Sequence, residues 1–388
     1  MSSTDSRTAS PPARPHEAIR LLLRAGKNDE AVVQLCALVI TGPDDWEAKE
    51  LLFDAFFQKR EWAPALVLLN ELIRARPDDP RLQRSLIATL SNMKRFAEAI
   101  AQATSYVARH GEDLTVLDAL KVANFYSGKV DEAIRYGQRG ITLRDQEALR
   151  NPLPFALTKP AGPPRGSHVI SYSLWGPAPF YAYGAMINLV QSRTIYPGWA
   201  CRFYIDSAVP PACAAFLRDN GADVRNIEDE YPGVGLFQRF LVMNDSTVGR
   251  FLVRDCDARL SQAEADLVGQ WIDSGAPFHV VRDHVLHNEL MIGCLWAGRT
   301  DCGIDIAALM RRYFTFGPTA KYGHDQRMLG LMLWPLIRNH CLVHDKYYRL
   351  DGVKTLQLPD PNSHFGGGHQ NIETVLREVD QLGIPRLP

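Results

Sequence analysis

The 388-residue sequence has almost no net charge, no cationic run and no long apolar run. It carries 43 Lys and Arg against 44 Asp and Glu, a formal charge of −1, and no five consecutive basic residues. The basic surface typical of nucleic-acid-binding proteins is therefore missing, and we expect no nucleic-acid partner. The longest apolar stretches fall far short of the roughly 20 residues that span a bilayer, and the N-terminus lacks a cationic and apolar signal pattern. We expect no transmembrane segment and a cytoplasmic protein.

Cysteine is also scarce. The seven cysteines are an odd number and form no C-x-x-C pair, which argues against a disulfide framework and against a thiolate zinc site. We expect reduced thiols, mostly in the core. The remaining composition, with 46% hydrophobic residues, is that of a globular protein, and at roughly 150 residues per domain the length predicts two or three domains.

A repeat of 34 residues occupies the N-terminal part of the chain. It is marked by an alanine column, an aspartate column and an aliphatic column: Ala31, Ala65, Ala99 and Ala133; Asp45, Asp79 and Asp113; Leu66, Ile100 and Ile134. Within one unit, apolar residues recur at helical spacing on both sides of a Lys94-Arg95 turn, which predicts two amphipathic helices. This pattern resembles the tetratricopeptide family. We place four units at about 12–45, 46–79, 80–113 and 114–147.

The expected fold of residues 12–150 is an all-α tetratricopeptide-like solenoid, preceded by a disordered segment at 1–11. Each helix pair buries its apolar face only against its neighbours, and the small alanine lets the helices approach closely. The first helices of such an array line a concave surface. The array is expected to bind a protein partner or an acceptor, or to mediate self-association; alternatively it only supports the second domain.

A proline-rich linker at 151–167 separates this array from a region of different pattern, because its proline and glycine density prevents a continuous helix. From residue 168 onward, short β-rich runs alternate with helices, with strands expected at about 168–175, 200–206, 222–227 and 251–257. This alternation predicts an α/β domain with a mostly parallel sheet over 168–388. Ligands of such sheets bind at the carboxyl ends of the strands.

The fourth expected strand ends in Asp255-Cys256-Asp257. Two carboxylates at this position can face a crevice and hold a hard cation, Mn²⁺ or Mg²⁺, together with a ribose hydroxyl. The motif by itself is weak, because Asp-x-Asp also occurs by chance and more often caps a helix. Its position after the buried Phe251-Leu-Val run favours the metal-binding interpretation.

Several motifs then occur in a characteristic order. They are Leu236–Phe240, the strand 251–261 with its Asp-x-Asp, 271–275 followed by 278–284, Asp325-Gln326, and Val343-His-Asp345. Over about 168–370 this order resembles GT-A glycosyltransferases (a Rossmann-like α/β fold) related to glycosyltransferase family eight. The resemblance implies a nucleotide-sugar donor, with a UDP-sugar as the first choice, a divalent metal, and a glycan, protein or small-molecule acceptor.

The resemblance also implies a metal site. Asp255 would contact the ribose and the metal, and Asp257 would chelate the metal directly. A late histidine completes the site in that family, and both His344 and His364 qualify. We favour His344, because it follows an apolar strand.

The tail His364-Phe-Gly-Gly-Gly-His369 resembles the family's His-Phe-x-Gly-x-x-Lys sequence but has no lysine in the phosphate-binding slot. His369 stands nearest to that slot. Backbone N–H groups of Gly366 and Gly367, with His369, are the expected diphosphate contacts. Each histidine can also be an ordinary surface or core imidazole.

Three residues are candidates for the reacting centre. Asp325 and Gln326 would lie beside the anomeric carbon and orient the acceptor hydroxyl, and Asp283 would hydrogen-bond the donor sugar. The plainer interpretation of Asp325 is a favourable charge in the first turn of a helix. A retaining reaction would need no dedicated base, whereas an inverting one would need a carboxylate such as Asp325.

Three further residues are candidates for nucleotide binding. Arg239, on a predicted helix before the metal strand, would reach the nucleotide or phosphate. Tyr172 and Trp175, at the end of the first strand, would stack on the base, although aromatic residues in a first strand are as often core residues. Two other functions stay open: a non-catalytic interaction protein with a degenerate transferase domain, and another metal-dependent nucleotide enzyme such as a nucleotidyltransferase.

Overall fold

The computed structural model describes residues 15–150, 153–230, 235–315, 323–358, 364–368 and 371–387. The chain divides into two compact units, Met1–Tyr136 and Gly137–Pro388. The division falls inside a long helix, Val130–Arg150. The segment predicted to be disordered, 1–11, lies outside the described residues, and the predicted domain limits stay predictions.

The described part of the N-terminal unit consists of helices joined by short turns. They are α1 Pro15–Arg24, α2 Asn28–Thr41, α3 Trp46–Gln58, α4 Trp62–Ala75, α5 Pro80–Asn92, α6 Phe96–His110, α7 Leu114–Tyr126 and the start of α8 Val130–Arg150. The repeated alanine is the fourth residue of α2, α4, α6 and α8, and it is at most 1% exposed in every case. The expected helical repeat array is therefore present.

The aspartate column of the repeat begins the first helix of each later unit. Asp45 accepts a hydrogen bond from the Ala48 N–H at 2.9 Å, Asp79 accepts one from the following turn, and Asp113 accepts from the N–H of Thr115 at 2.9 Å. These side chains satisfy N–H groups that the first turn of a helix leaves without an intrahelical partner. The column is thus a series of helix N-caps.

The turn inside each unit adopts a left-handed backbone at the same repeat position. Two units use glycine there, Gly26 (φ 73°) and Gly128 (φ 76°), and two use residues with a side chain, Arg60 and Lys94 (both φ 59°). Glycine adopts this conformation without a steric penalty, whereas a residue with a Cβ pays one. The Lys94-Arg95 turn expected from the sequence is therefore present, with backbone strain at Lys94.

The C-terminal unit contains one eight-stranded sheet in the order β3-β2-β1-β4-β6-β5-β7-β8. Its strands are β1 Ser167–Leu174, β2 Trp199–Ile205, β3 Asp223–Asn226, β4 Val248–Asp255, β5 Phe278–Arg282, β6 Trp296–Arg299, β7 Cys341–Asp345 and β8 Thr355–Gln357. All pairings are parallel except those of β6 with β4 and β5. The mostly parallel α/β sheet predicted from the alternation is confirmed, with one antiparallel strand.

The helices of this unit are α9 Pro179–Ile195, α10 Pro211–Asp219, α11 Gln262–Ser274, α12 Ile306–Thr315, α13 His324–Met328, α14 Trp334–Ile337 and α15 Ile372–Gln381. The segment expected as a helix around Leu236 to Met243 is a 3₁₀ helix, Gly235–Asn244. Among the described residues, no helix combines the length and the apolarity needed to cross a bilayer.

The second half of α8 belongs to the C-terminal unit and is fixed there by Asp145. This buried carboxylate accepts hydrogen bonds from Trp334 Nε1 at 2.7 Å and from the Arg338 guanidinium at 2.8 Å. Gly137 lies so close to the Tyr348 ring that a Cβ would collide with it. Both contacts anchor this half of the helix locally.

The strand order determines where a ligand can bind. β1 is flanked by β2 on one side and β4 on the other. The chain therefore adds β2 and β3 on one side of β1 and then continues from β4 on the opposite side, so the strand order reverses between β1 and β4. In open α/β sheets, ligands bind outside the carboxyl ends of the strands at such a reversal. Ser173 and Asp255, which pair across these two strands, mark that position.

Candidate functional site

Four aspartates lie at or near the carboxyl edge of the sheet. Asp255 is the last residue of β4, Asp257 follows two residues later, and Asp283 follows the last residue of β5. Asp325, in the first turn of α13, is linked to Asp255 through the side chain of Arg239. β4 and β5 run in the same direction, since each is antiparallel to β6. The sheet therefore brings these carboxylates, far apart in sequence, to one edge.

Arg239 is the centre of the first part of the site. Its guanidinium is 2% exposed and donates hydrogen bonds to Asp255 Oδ1 and, at 2.9 Å, to Asp325 Oδ2. Its backbone is held from β1: the Arg239 N–H donates to Ser173 Oγ at 2.9 Å, and Ser171 Oγ donates to the Arg239 carbonyl at 2.7 Å. Two serines of the first strand thus fix the position of this arginine.

The electrostatics of this group follow from burial and pairing. Burial by itself lowers the pKa of Arg239, but the charges of Asp255 and Asp325 outweigh it and raise the pKa above the usual arginine value. Burial raises the pKa of Asp325, and Asp255 adds to this effect, although Arg239 opposes it. Gly293 lies so close that a Cβ there would collide with the Asp325 carboxylate. Arg239 is thus a permanent cation that holds two carboxylates in position.

Asp257 forms the second part of the site. Its carboxylate is 8% exposed and lies against the backbone of Gly368, where a Cβ would collide with Oδ2. Only a glycine at this position therefore allows the Asp257 carboxylate to pack this closely against the segment 364–368. The peptide around Asp257 is held by Asn188, whose side-chain amide donates to the carbonyls of Cys256 at 3.3 Å and Ala258 at 2.8 Å.

Asp283 forms the third part. It is fully buried and accepts hydrogen bonds from the N–H groups of Phe365 and Gly366, the latter at 3.2 Å, and its Oδ1 lies 2.6 Å from His287 Nδ1. Burial pushes the pKa of Asp283 upward, but His287 and the two backbone donors outweigh it and leave the pKa below the usual value. His364 lies beside this pair. Asp283 thus anchors the segment 364–368.

The two candidate metal histidines occupy different surroundings. His344 is fully buried, and its two ring nitrogens lie 2.8 Å from His279 Nε2 and 3.1 Å from Gln270 Oε1. Burial lowers the pKa of His344 to about 4. Both ring nitrogens of His344 therefore have partners other than the aspartates of the site. His364, by contrast, is exposed and lies in the segment that contacts Asp257 through Gly368.

The two aromatic candidates also differ. Tyr172 is fully buried and stacks on Phe203, with ring centroids 4.8 Å apart, so it is a core residue and has no surface on which a nucleotide base can stack. Trp175 follows β1, is 49% exposed, and has Gly235 against its ring. Its ring is available at the reversal point of the sheet.

The remaining predicted residues lie at or beside the site. The N–H of Gly366 is directed at Asp283, so it is not free for a diphosphate, and a Cβ on Gly367 would come within 3.0 Å of the His364 ring. Gln326 follows Asp325 and is partly exposed. His369 lies outside the described residues.

Sequence reasoning missed the histidines that follow Asp283. His284 and His287 gather with His364, and the His284 and His364 rings stack at 4.7 Å. The signal was present, since two histidines three residues apart directly follow a strand and an aspartate. It also missed Asp206, whose carboxylate accepts from the Gly176 N–H at 3.1 Å and holds the loop that carries Trp175.

Comparisons with known proteins add little to this geometry. No protein-family model and no curated protein matches the sequence. Solved MamA structures match about a third of the chain. MamA of AMB-1 is 20% identical over 32% of this chain and 69% of that chain, with a TM-score of 0.30. MamA 41-end from Desulfovibrio magneticus RS-1 is 16% identical over 34% and 75%, with a TM-score of 0.32.

Proposed function

We propose that this protein is a metal-dependent glycosyltransferase that moves a sugar from a nucleotide-diphosphate sugar to a glycan, protein or small-molecule acceptor. The observation that carries the proposal is the position of Asp255 and Asp257. Asp255 ends the strand beside the reversal point of the sheet, and Asp257 follows two residues later. Arg239 links Asp255 to Asp325, and Gly368 contacts Asp257. A UDP-sugar is the first donor to test.

The residues present fit a hard divalent cation. Asp255 and Asp257 would hold it, because carboxylate oxygens are the ligands that Mg²⁺ and Mn²⁺ prefer. The close contact between Gly368 and the Asp257 carboxylate, which leaves no room for a Cβ, supports this assignment because it fixes the position of one ligand. When bound, such a cation supplies charge stabilisation to a departing diphosphate.

The other residues of the site would bind the base, position the aspartates and orient the acceptor. The exposed ring of Trp175 would stack on the base at the end of β1. Arg239 would act as a positioning residue, because it fixes the orientation of Asp255 and Asp325 from a fully buried position. Asp325 and Gln326 would orient the acceptor at the reacting centre. Asp283 would then act indirectly, by holding the backbone of residues 365 and 366 at the edge of the site.

The helical repeat array would serve as a binding domain. We propose that it binds the acceptor or a protein partner, or a second copy of the chain. Exposed apolar side chains on α1, α2 and α4 support an interaction surface, namely Leu21, Val33, Ile40 and Val67, each at least 60% exposed. The transferase reaction itself is proposed for the C-terminal unit.

The test is a calorimetric screen of nucleotide sugars with Mn²⁺ on the full chain, followed by hydrolysis and transfer assays. We expect Asp257→Asn to lower Mn²⁺-dependent turnover by about a thousandfold, because loss of a metal ligand removes several kcal/mol of transition-state stabilisation. The melting temperature should stay nearly unchanged. Asp266→Asn, an exposed aspartate on α11, is the matched control and should retain full activity.

Two results would contradict the proposal. Wild-type activity in Asp257→Asn would remove the metal role of this residue. If no nucleotide sugar binds in the presence of Mn²⁺, a non-catalytic interaction protein becomes the better interpretation of the whole chain.

A further inference from the structure

A second group of metal-ligand side chains lies at the end of β5. One donor atom from each of Asp283, His287 and His364 lies within 4.8 Å of the other two. Asp283 is fully buried, His287 is partly exposed, and His364 is exposed. The group is therefore anchored on the protein side and open on the solvent side, as a site that admits a metal ion must be.

The imidazoles around Asp283 are crowded in a way that a hydrogen-bonding role alone does not require. The His284 ring stacks on His364 at 4.7 Å, and the His287 and His364 ring centroids lie 5.6 Å apart. Three imidazole rings thus gather beside one buried carboxylate. An imidazole nitrogen binds a metal ion in its neutral form.

We propose that Asp283, His287 and His364 bind a transition-metal ion of the Zn²⁺ and Co²⁺ class, at a site separate from the cation of Asp255 and Asp257. Imidazole nitrogens favour such metals, whereas a pair of carboxylates favours Mg²⁺ or Mn²⁺. Bonds of about 2 Å require ligand atoms about 3–4 Å apart, so binding requires only a small closure of the three side chains.

A metal ion at this site would also hold the neighbouring segment 364–368 in position. His364 and Gly368 belong to the same short segment, and Gly368 lies against Asp257. Binding would add a metal bond to the two backbone hydrogen bonds by which Asp283 already holds this segment. It would thereby fix the glycine that packs against Asp257. The binding itself does not depend on the proposed transfer reaction.

The experiment is Co²⁺ titration of the full chain, followed by visible absorption. We expect the d–d bands of an imidazole-coordinated ion, without the charge-transfer band of a cysteine thiolate. The affinity should fall about 100-fold or more in His364→Ala and in His287→Ala, because each removes a ligand. Since His364 is exposed, its variant tests the site even if His287→Ala fails to fold. Asp257→Asn and His340→Ala, a partly exposed histidine elsewhere in the unit, should retain the bands.

The proposal is overturned if the wild-type protein shows no such bands, or if His364→Ala keeps them. Loss of the bands in Asp257→Asn would also overturn it, because the two groups would then form one site. Loss of the bands in His340→Ala would also overturn it, because the metal ion would then bind elsewhere in the protein. Because no nucleotide sugar enters the experiment, failure of the proposed transferase function leaves its outcome unaffected.

Discussion

The two units bury different kinds of side chain. Among the described residues, the N-terminal unit fills its core with alanine, leucine and a few aromatic residues, and its buried polar side chains are Lys49, Thr89, Lys121 and Asn124. The C-terminal unit buries arginines, aspartates and histidines, and it places several of them at the carboxyl edge of its sheet.

This difference separates stability from function. A repeat array gains its stability from apolar contacts between neighbouring helices, and it needs few buried charges. A buried charge pair contributes little net stability, because the desolvation cost offsets the attraction. We therefore infer that the buried charges at this edge of the sheet position other groups, as Arg239 does for Asp255 and Asp325.

The largest expected effect tests whether the buried charges of the C-terminal unit are coupled. Arg239→Met leaves Asp325 buried without its cation, so the free energy of unfolding should fall by about 3–5 kcal/mol. In the N-terminal unit, Arg95→Ala removes an exposed pair with Glu98 and should leave the free energy of unfolding nearly unchanged, because water and salt screen such a pair. Urea unfolding followed by circular dichroism measures both. Equal losses in the two variants would remove the distinction between the units.

A smaller effect concerns the buried histidine pair of the sheet. His344 has its pKa lowered to about 4 by burial, and the pKa of His279 lies well below its usual value for the same reason. In the unfolded chain both titrate near 6.5. Since the native state resists protonation, the stability from neutral rings is fully present above about pH 6.5 and is lost as the pH falls toward 4. The loss should reach about 1.4 kcal/mol per pH unit for each histidine.

The measurement is urea unfolding at pH 7.5 and pH 5. In His344→Gln the pH dependence should be smaller than in the wild type, whatever the absolute stability of the variant. The described histidines of the N-terminal unit, His16 and His110, are not buried. An unchanged pH dependence in the variant would show that His344 does not contribute to the pH dependence of the free energy of unfolding.

The smallest effect tests the repeat turns. Lys94→Gly should raise the free energy of unfolding by about 1 kcal/mol or less, because glycine relieves the left-handed backbone while adding some flexibility to the unfolded chain. The matched change, Gly128→Lys, should lower it by a similar amount. No atom lies within 4 Å of the Cβ position at Gly128, so the backbone alone sets the effect. The same sign in both variants would contradict this explanation.

Most of the N-terminal unit was predictable from the sequence. The 34-residue period places alanines, N-cap aspartates and turns at fixed positions, because a repeat packs only against its neighbours and the same local rules apply in each copy. The strand expected at about 200–206 was also predicted to within one residue at each end, as Trp199–Ile205, since short apolar runs bounded by polar residues indicate strands.

The site was predicted only in part. Asp255, Asp257 and Asp325 were identified, but the bridge that Arg239 makes between Asp255 and Asp325 was not. A side-chain bridge between a 3₁₀ helix, a strand and a helix leaves no recognisable spacing in the sequence. Tyr172 was expected at the nucleotide and lies in the core. Whether an aromatic residue near a strand end points inward depends on its sheet face and on what packs there.

The sequence by itself determined the repeat array, the α/β alternation and the position of the aspartates at strand ends, because these features follow from local periodicity. Only the tertiary structure decided which polar residues meet. The antiparallel strand β6 lies between β4 and β5, and the segment 364–368 runs from Asp283 to Asp257. Strand order and long-range backbone hydrogen bonds join residues that are about 80 positions apart for Asp283 and Phe365, and no local pattern encodes such a separation.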